Sequence, residues 1–404
     1  MRIQTPVAIA LSFILSLGCA RARDDAPRAA AAAPADASVA TILDATIATT
    51  PAAPPDAGAP EAPAALMRDE DVGPLLARLS DNPGDFPSDN YVTNETSLLD
   101  VAPALRDPKL HGRAYVGVGP EQNLTYLAML EPSVAYIVDI RRGNLVEHLV
   151  YRGCFEVGKT RAEFLSALLA RRPQTTDGGN SSGPDFAPLE AAFLSAPGDR
   201  ALRDEGVART RALLDRLHVV RVPGDEAEVA RIHDAFFTRG LSLAYTMKGS
   251  HRKYPTLAET LSARDPKGEA ASFLASEDSY ARVRRLVLEN RVLPIVGDFG
   301  GKGALPSVGA DMRARGLLLG AFYTSNVEQY LFDAHTYGAF LASVTSMPRD
   351  DASLLVRVWF DTGTPHPAQR PGHRTTQLTV PTNVFLARAS KTPFRSYWEV
   401  VTRK

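Results

Sequence analysis

The sequence predicts an α/β fold, a doubly wound and mainly parallel sheet with a large helical insertion between its second and third strands. Three observations carry this. A strand–turn–helix–strand–helix pattern runs through 113–155, the unit that forces parallel pairing through a right-handed crossover. Strand-like and helix-like segments alternate again from 291 to 361. The stretch between them, 158–289, is patterned as helices.

Met1 and Arg2 precede an uncharged, largely apolar run at 6–17. It is too short for a membrane span, which takes about 20 residues, and fits the core of an export signal. It ends in Ser16-Leu17-Gly18-Cys19, which resembles a bacterial lipoprotein cleavage site. The resemblance implies removal of 1–19, lipidation of Cys19 and tethering to a membrane in the cell envelope. Residues 20–66 hold 20 alanines and 7 prolines. Proline interrupts helix too often there, and large apolar groups are too few to offset ordering entropy, so the segment reads as a disordered linker. The folded domain is expected to span 67–404.

Within it, the apolar run 113–119 ends in glycines and reads as a buried strand entering a tight turn. A helix over 122–130 is stopped by Pro132, and 134–140 is a second buried strand carrying Asp139 near its end. A helix follows over 143–155. In the insertion, Phe164, Leu165, Leu168 and Leu169 share one face of a helix over 159–172. Residues 173–188 read as a loop, 201–217 and 226–238 as helices, and 218–222 as a short strand. The insertion is expected to cap the carboxyl edge of the sheet. Further strands are predicted at 291–298, 317–323 and 353–361, with helices at 305–315 and 326–344 between them. Short closing strands are expected at 377–380 and 397–401.

Composition narrows the chemistry. Lys and Arg number 45 against 46 Asp and Glu, a net charge of −1, so no polybasic nucleic-acid partner is expected. Two cysteines exclude a disulfide framework, and Cys154, flanked by apolar residues, reads as a buried inert thiol. The histidines show no metal-ligand spacing, so no metal is expected. Neither a phosphate-binding P-loop nor a Gly-x-Ser-x-Gly elbow occurs.

The candidate site residues converge on strand ends. Gly117-Val-Gly119-Pro-Glu121-Gln-Asn123 occupies the first strand-to-helix turn, where glycines let a backbone approach a ligand. Asp139 lies 22 residues after Gly117, placed to take the hydroxyls of a ribose. This order resembles class I S-adenosylmethionine-dependent methyltransferases, and the resemblance implies a Rossmann-like sheet. It also implies a cofactor, S-adenosylmethionine, held by Gly117, Gly119, Asn123, Asp139, Asp298 and Phe299. Tyr115 and Glu121 stand where that family has an acid and a third glycine. Glu121, Glu328 and Tyr330 are the expected working groups, either glutamate serving as general base. The polar segment 89–95 is expected to cross the glycine loop and offer Asn90, Tyr91 and Glu95 to a substrate, with Arg141 and Asn326 beside them. Segments 88–95, 117–123, 139–144 and 325–330 together also resemble a bacterial protein family to which no reaction is attached. Two functions follow: a methyltransferase-like enzyme acting on a small nucleoside-type ligand, or a membrane-tethered binding lipoprotein on a catalytically degenerate scaffold.

Overall fold

A computed structural model describes residues 67–173 and 185–403. Cys19, the export signal, the 20–66 linker and most of the predicted 173–188 loop lie outside the described residues. Six strands form one sheet: β1 (Ala114–Gly117), β2 (Val134–Asp139), β3 (Val292–Val296), β4 (Leu319–Ser325), β5 (Leu354–Phe360) and β6 (Thr375–Pro381). Their order is β3-β2-β1-β4-β5-β6. The first five run parallel, and β6 pairs antiparallel with β5.

Position in the sheet follows from sequence. Every residue of β1 and β2 is buried, as the near-continuous apolar runs of central parallel strands require. Pro294 pairs with Ile137 from β3, an edge strand, where a missing N–H costs no ladder bond. That edge is covered by the helix Asp69–Leu79, which packs on β3. At the other edge β6 starts buried, at Thr375, Thr376 and Gln377, and only then alternates toward solvent, with Thr379 exposed.

The helix Gln122–Leu130 is buried along its whole length and stops where Glu131 turns left-handed before Pro132. The helix Glu277–Leu288 packs on both Gln122–Leu130 and Arg142–Val157, and Ala304–Ala314 packs on both Asp69–Leu79 and Tyr337–Ser346. Among the described residues no helix is long and apolar enough to cross a membrane.

Several expectations are corrected. The predicted helix over 326–344 is two, Val327–Asp333 and Tyr337–Ser346, broken at His335, whose φ is +57°. The closing strand at 397–401 is a helix, Tyr397–Thr402, because Ser396 accepts the Glu399 amide as an N-cap. No strand forms at 218–222. The insertion reaches the strand ends through its 245–248 segment, while its main helices lie elsewhere. Its helices Arg161–Leu169, Arg200–Arg216 and Asp225–Arg239 stack on Arg142–Val157, which therefore has almost no solvent face. Phe155, Phe164, Phe273 and Tyr280 form the aromatic centre of that layer. Cys154 is buried, and burial pushes its thiol up to about 12, leaving it unreactive.

Candidate functional site

The carboxyl ends of β1, β2, β3 and β4 open onto one cavity of about 440 Å³. That volume suits a small organic ligand. Residues 118–120 enter it from the end of β1, 138–141 from β2, 297–299 from β3, and Tyr323, Ser325 and Asn326 from β4. Segment 81–95 runs along these ends as a strap. The Asp81 amide donates to Val296 O (2.8 Å) and the Gly84 amide to Ile140 O (2.9 Å). Ser88 Oγ donates to Thr246 O of the insertion (2.5 Å), and Tyr245 is the insertion's contribution to the cavity wall.

Most of the predicted residues meet here. Gly119, Asp139, Asp298, Phe299, Asn90, Glu95, Arg141, Asn326 and Tyr330 all line the cavity. Gly119 has φ +81° and brings bare backbone to the wall. Asp298 accepts the Gly300 amide through Oδ1 (2.9 Å). Tyr330 stands at the mouth, 39% exposed, with Phe86 edge-on to it at 5.6 Å. Asp139 is already partnered. Its Oδ1 accepts the Arg141 amide (2.8 Å) and its Oδ2 accepts Arg141 Nη2 (3.2 Å), while Nη1 of the same guanidinium donates to Asp89 O. Arg141 thus ties the strap to the end of β2, a role different from gripping an acidic substrate.

Five predicted residues lie outside the cavity. Asn123 is fully buried: its Nδ2 donates to the carbonyls of Val118, Gly119 and Pro120, and its Oδ1 accepts the Tyr115 hydroxyl (2.8 Å). It holds the turn in shape from behind. Gly117 serves that side chain too, since a Cβ there would sit 2.1 Å from Asn123 Oδ1. Gly117→Ala is therefore expected to destabilise the domain by about 1–3 kcal/mol, read from urea unfolding; an unchanged midpoint would show the turn can relax. Tyr91 turns away and donates to Glu228 (3.2 Å). Glu121 accepts the Thr93 amide (3.1 Å) and is buried, which pushes its carboxyl up to about 8. It fastens the strap to the glycine turn and reaches no ligand. Glu328 is wholly buried, accepting from Arg357 Nε (2.5 Å), Thr324 Oγ1 (3.0 Å) and Tyr337 (3.0 Å). Both expected general bases are structural by geometry.

Of the three predicted glutamates, the one that lines the cavity is Glu95. It accepts from Tyr323 and Ser325 hydroxyls on Oε1, each at 2.5 Å, and from Gln122 and Gln377 amides on Oε2 at 2.8 and 2.7 Å. Burial is the largest influence on it and raises its pKa despite those four donors. Behind the glycine turn, His148 Nε2 donates to Gly119 O (3.0 Å), and burial lowers its pKa to about 4, so the ring is neutral. Sequence reasoning passed over Phe86 and Tyr245, and it gave Tyr323 and Ser325, in the segment after the fourth strand, no role of their own. Ser325 stood within a motif already singled out, yet nothing in its neighbours announces the backbone it adopts. Among the described residues no group of three His, Cys, Asp or Glu side chains is set to hold a metal.

Comparison with curated proteins gives no match to this chain. A family model does match, over 91–177 and 226–397, segments that carry Glu95, the glycine turn and all six strands. With more than half of its length matched, the chain belongs to the family described as Domain of unknown function (DUF7790).

Proposed function

We propose that the chain binds a nucleoside-bearing small molecule in this cavity, that the molecule is S-adenosylmethionine, and that the protein is methyltransferase-like. The observation that carries the proposal is the convergence of Gly119, Asp139, Asp298 and Phe299 on one cavity. The strand order supports a Rossmann-like reading, because such sheets bind ligands beyond the carboxyl ends at the switch point, here between β1 and β4. Charge supports the choice of ligand. Asp85, Glu95, Asp139 and Asp298 line the cavity against a single cation, Arg141. Aromatic rings of Phe86, Tyr245, Tyr323 and Tyr330 complete the wall. Such a lining favours a cationic ligand over the pyrophosphate of a dinucleotide. The residues fit the group in part: Asp298 and Phe299 for a base, Gly119 for close approach, and Asp139 for ribose hydroxyls through the lone pairs Arg141 leaves free. S-adenosylmethionine supplies an electrophilic methyl when bound; the acceptor would enter from the mouth beside Tyr330 and Asn326.

A second reading, a binding lipoprotein tethered through Cys19 in the cell envelope, is favoured by one observation: both Asp139 oxygens are engaged by Arg141. Calorimetric titration of the purified chain with S-adenosylmethionine and NAD separates the two. The first reading expects saturable binding of S-adenosylmethionine alone, weakened roughly 10–100-fold in Asp139→Ala by loss of a charged hydrogen-bond acceptor. Absence of heat from a cooperatively folded chain leaves the second.

A further inference from the structure

Among the described residues, seven non-glycine residues have a positive φ. Five of them, Glu131, Ala170, His218, Asn290 and His335, lie just past the carboxyl end of a helix, where a left-handed residue is routine. Ser325 does not. It ends β4, immediately before the helix Val327–Asp333, with φ +50°. The β4–β5 register slips between Tyr323 and Ser325, so the strand bulges as it ends and Ser325 is turned onto the cavity. Backbone held in such a conformation between two regular elements marks a place where surroundings fix a side chain for use.

The surroundings here are specific. Ser325 Oγ donates to Glu95 Oε1 at 2.5 Å, and Glu95 has no solvent exposure. Tyr323 donates to the same oxygen, while Gln122 and Gln377 fix the other. The carboxyl therefore cannot swing away from the serine. The next residue, Asn326, lines the same cavity, and its Oδ1 is a second, longer acceptor for Ser325 Oγ at 3.5 Å. A strand-end serine in strained backbone and a base in hydrogen-bond contact with it are the pair on which nucleophilic acyl or phosphoryl transfer is built. They occur without the Gly-x-Ser-x-Gly pattern, because the bulge, rather than flanking glycines, makes the turn.

We propose that Ser325 is a nucleophile and Glu95 its base, acting on small uncharged carboxylic esters or phosphotriesters that enter this cavity. In the step, Oγ bonds to the acyl carbon or phosphorus as its proton passes to Glu95 Oε1. The ester bond breaks, and the leaving alkoxide departs with that proton. A water then attacks the acyl- or phosphoryl-serine, giving one proton through Glu95 back to Oγ. The proposal is independent of the nucleoside reading.

The test is labelling of the full chain with diisopropyl fluorophosphate, in which Oγ–P forms, P–F breaks, and fluoride leaves while Glu95 takes the proton. The expected result is one adduct per chain, mapped to Ser325 by mass spectrometry and absent in Ser325→Ala. Glu95→Gln should slow labelling on the order of a hundredfold, the scale of a lost general base. No adduct on a cooperatively melting chain, or an adduct elsewhere, overturns the nucleophile. An unchanged rate in folded Glu95→Gln overturns the base. Should that variant fail to fold, the wild-type rate in heavy water decides: slower labelling supports proton transfer to Glu95, and equal rates overturn it.

Discussion

Arg357→Met is expected to destabilise the domain by about 3–5 kcal/mol, the cost of leaving one member of a buried ion pair without its partner. Arg357 sits on β5, 2% exposed, and its Nε donates to Glu328, which has no exposure at all. Its guanidinium also lies 3.9 Å over the Phe385 ring, linking β5 to the helix Thr382–Lys391. Methionine retains the apolar stem but leaves Glu328 with only the Thr324 and Tyr337 hydroxyls as donors. An anion so placed must either stay charged in a low-dielectric core or take a proton, and both are unfavourable. The double variant Glu328→Gln/Arg357→Met should recover most of the loss, since neutral groups of similar volume fill the same space. Urea unfolding of the two variants checks this. Equal losses in both would show that packing of the arginine, and not charge pairing, holds the β4–β5 end together.

That pair also illustrates what a sequence discloses and what it hides. Central strands β1 and β2, their turn and the helix Gln122–Leu130 were legible because each is bounded by Gly or Pro and is apolar enough to admit no alternative. Asp139 and Asp298 were legible as strand-end acids for the same reason. Glu121 and Glu328 were not, because an acid at the start of a helix looks the same whether it points at a ligand or at a buried amide. The difference lies in long-range partners, Thr93 for one and Arg357 for the other. The stacking of the insertion on Arg142–Val157 was hidden likewise: that helix is buried nearly all round, including Glu147, His148 and Arg152, so its polar residues imitate a solvent face. The helix Tyr397–Thr402 reads as a strand through Val400 and Val401, and the Ser396 cap outweighs that preference. Tertiary partners decided all of these cases except the last, where a local cap did, and a single chain does not list such partners.

Replacing Glu121 with glutamine should remove a fall in stability between about pH 4 and pH 8. Burial pushes this carboxyl up to about 8 from the usual carboxylate range near 4. Between those values the unfolded chain has lost the proton and the folded one keeps it. The native state then binds more protons, and stability falls as pH rises, by up to about 1.4 kcal/mol per pH unit. The contribution is intact below the unfolded value and gone once pH passes the folded one. Glutamine cannot ionise and still accepts the Thr93 amide through its carbonyl oxygen, so the variant should exceed the parent by several kcal/mol at pH 8, a scale set by linkage over roughly this range. The advantage should vanish toward pH 4. The acid side behaves oppositely and should survive the substitution. His148 and His233 are both held near 4 by burial, so their stabilisation is present above the ordinary histidine value and lost as pH falls through the folded one. Urea midpoints across this range test both limbs. A parent and variant with parallel profiles would mean that Glu121 is ionised in the fold, and that the strap is held to the glycine turn by a charge and not by a protonated acid.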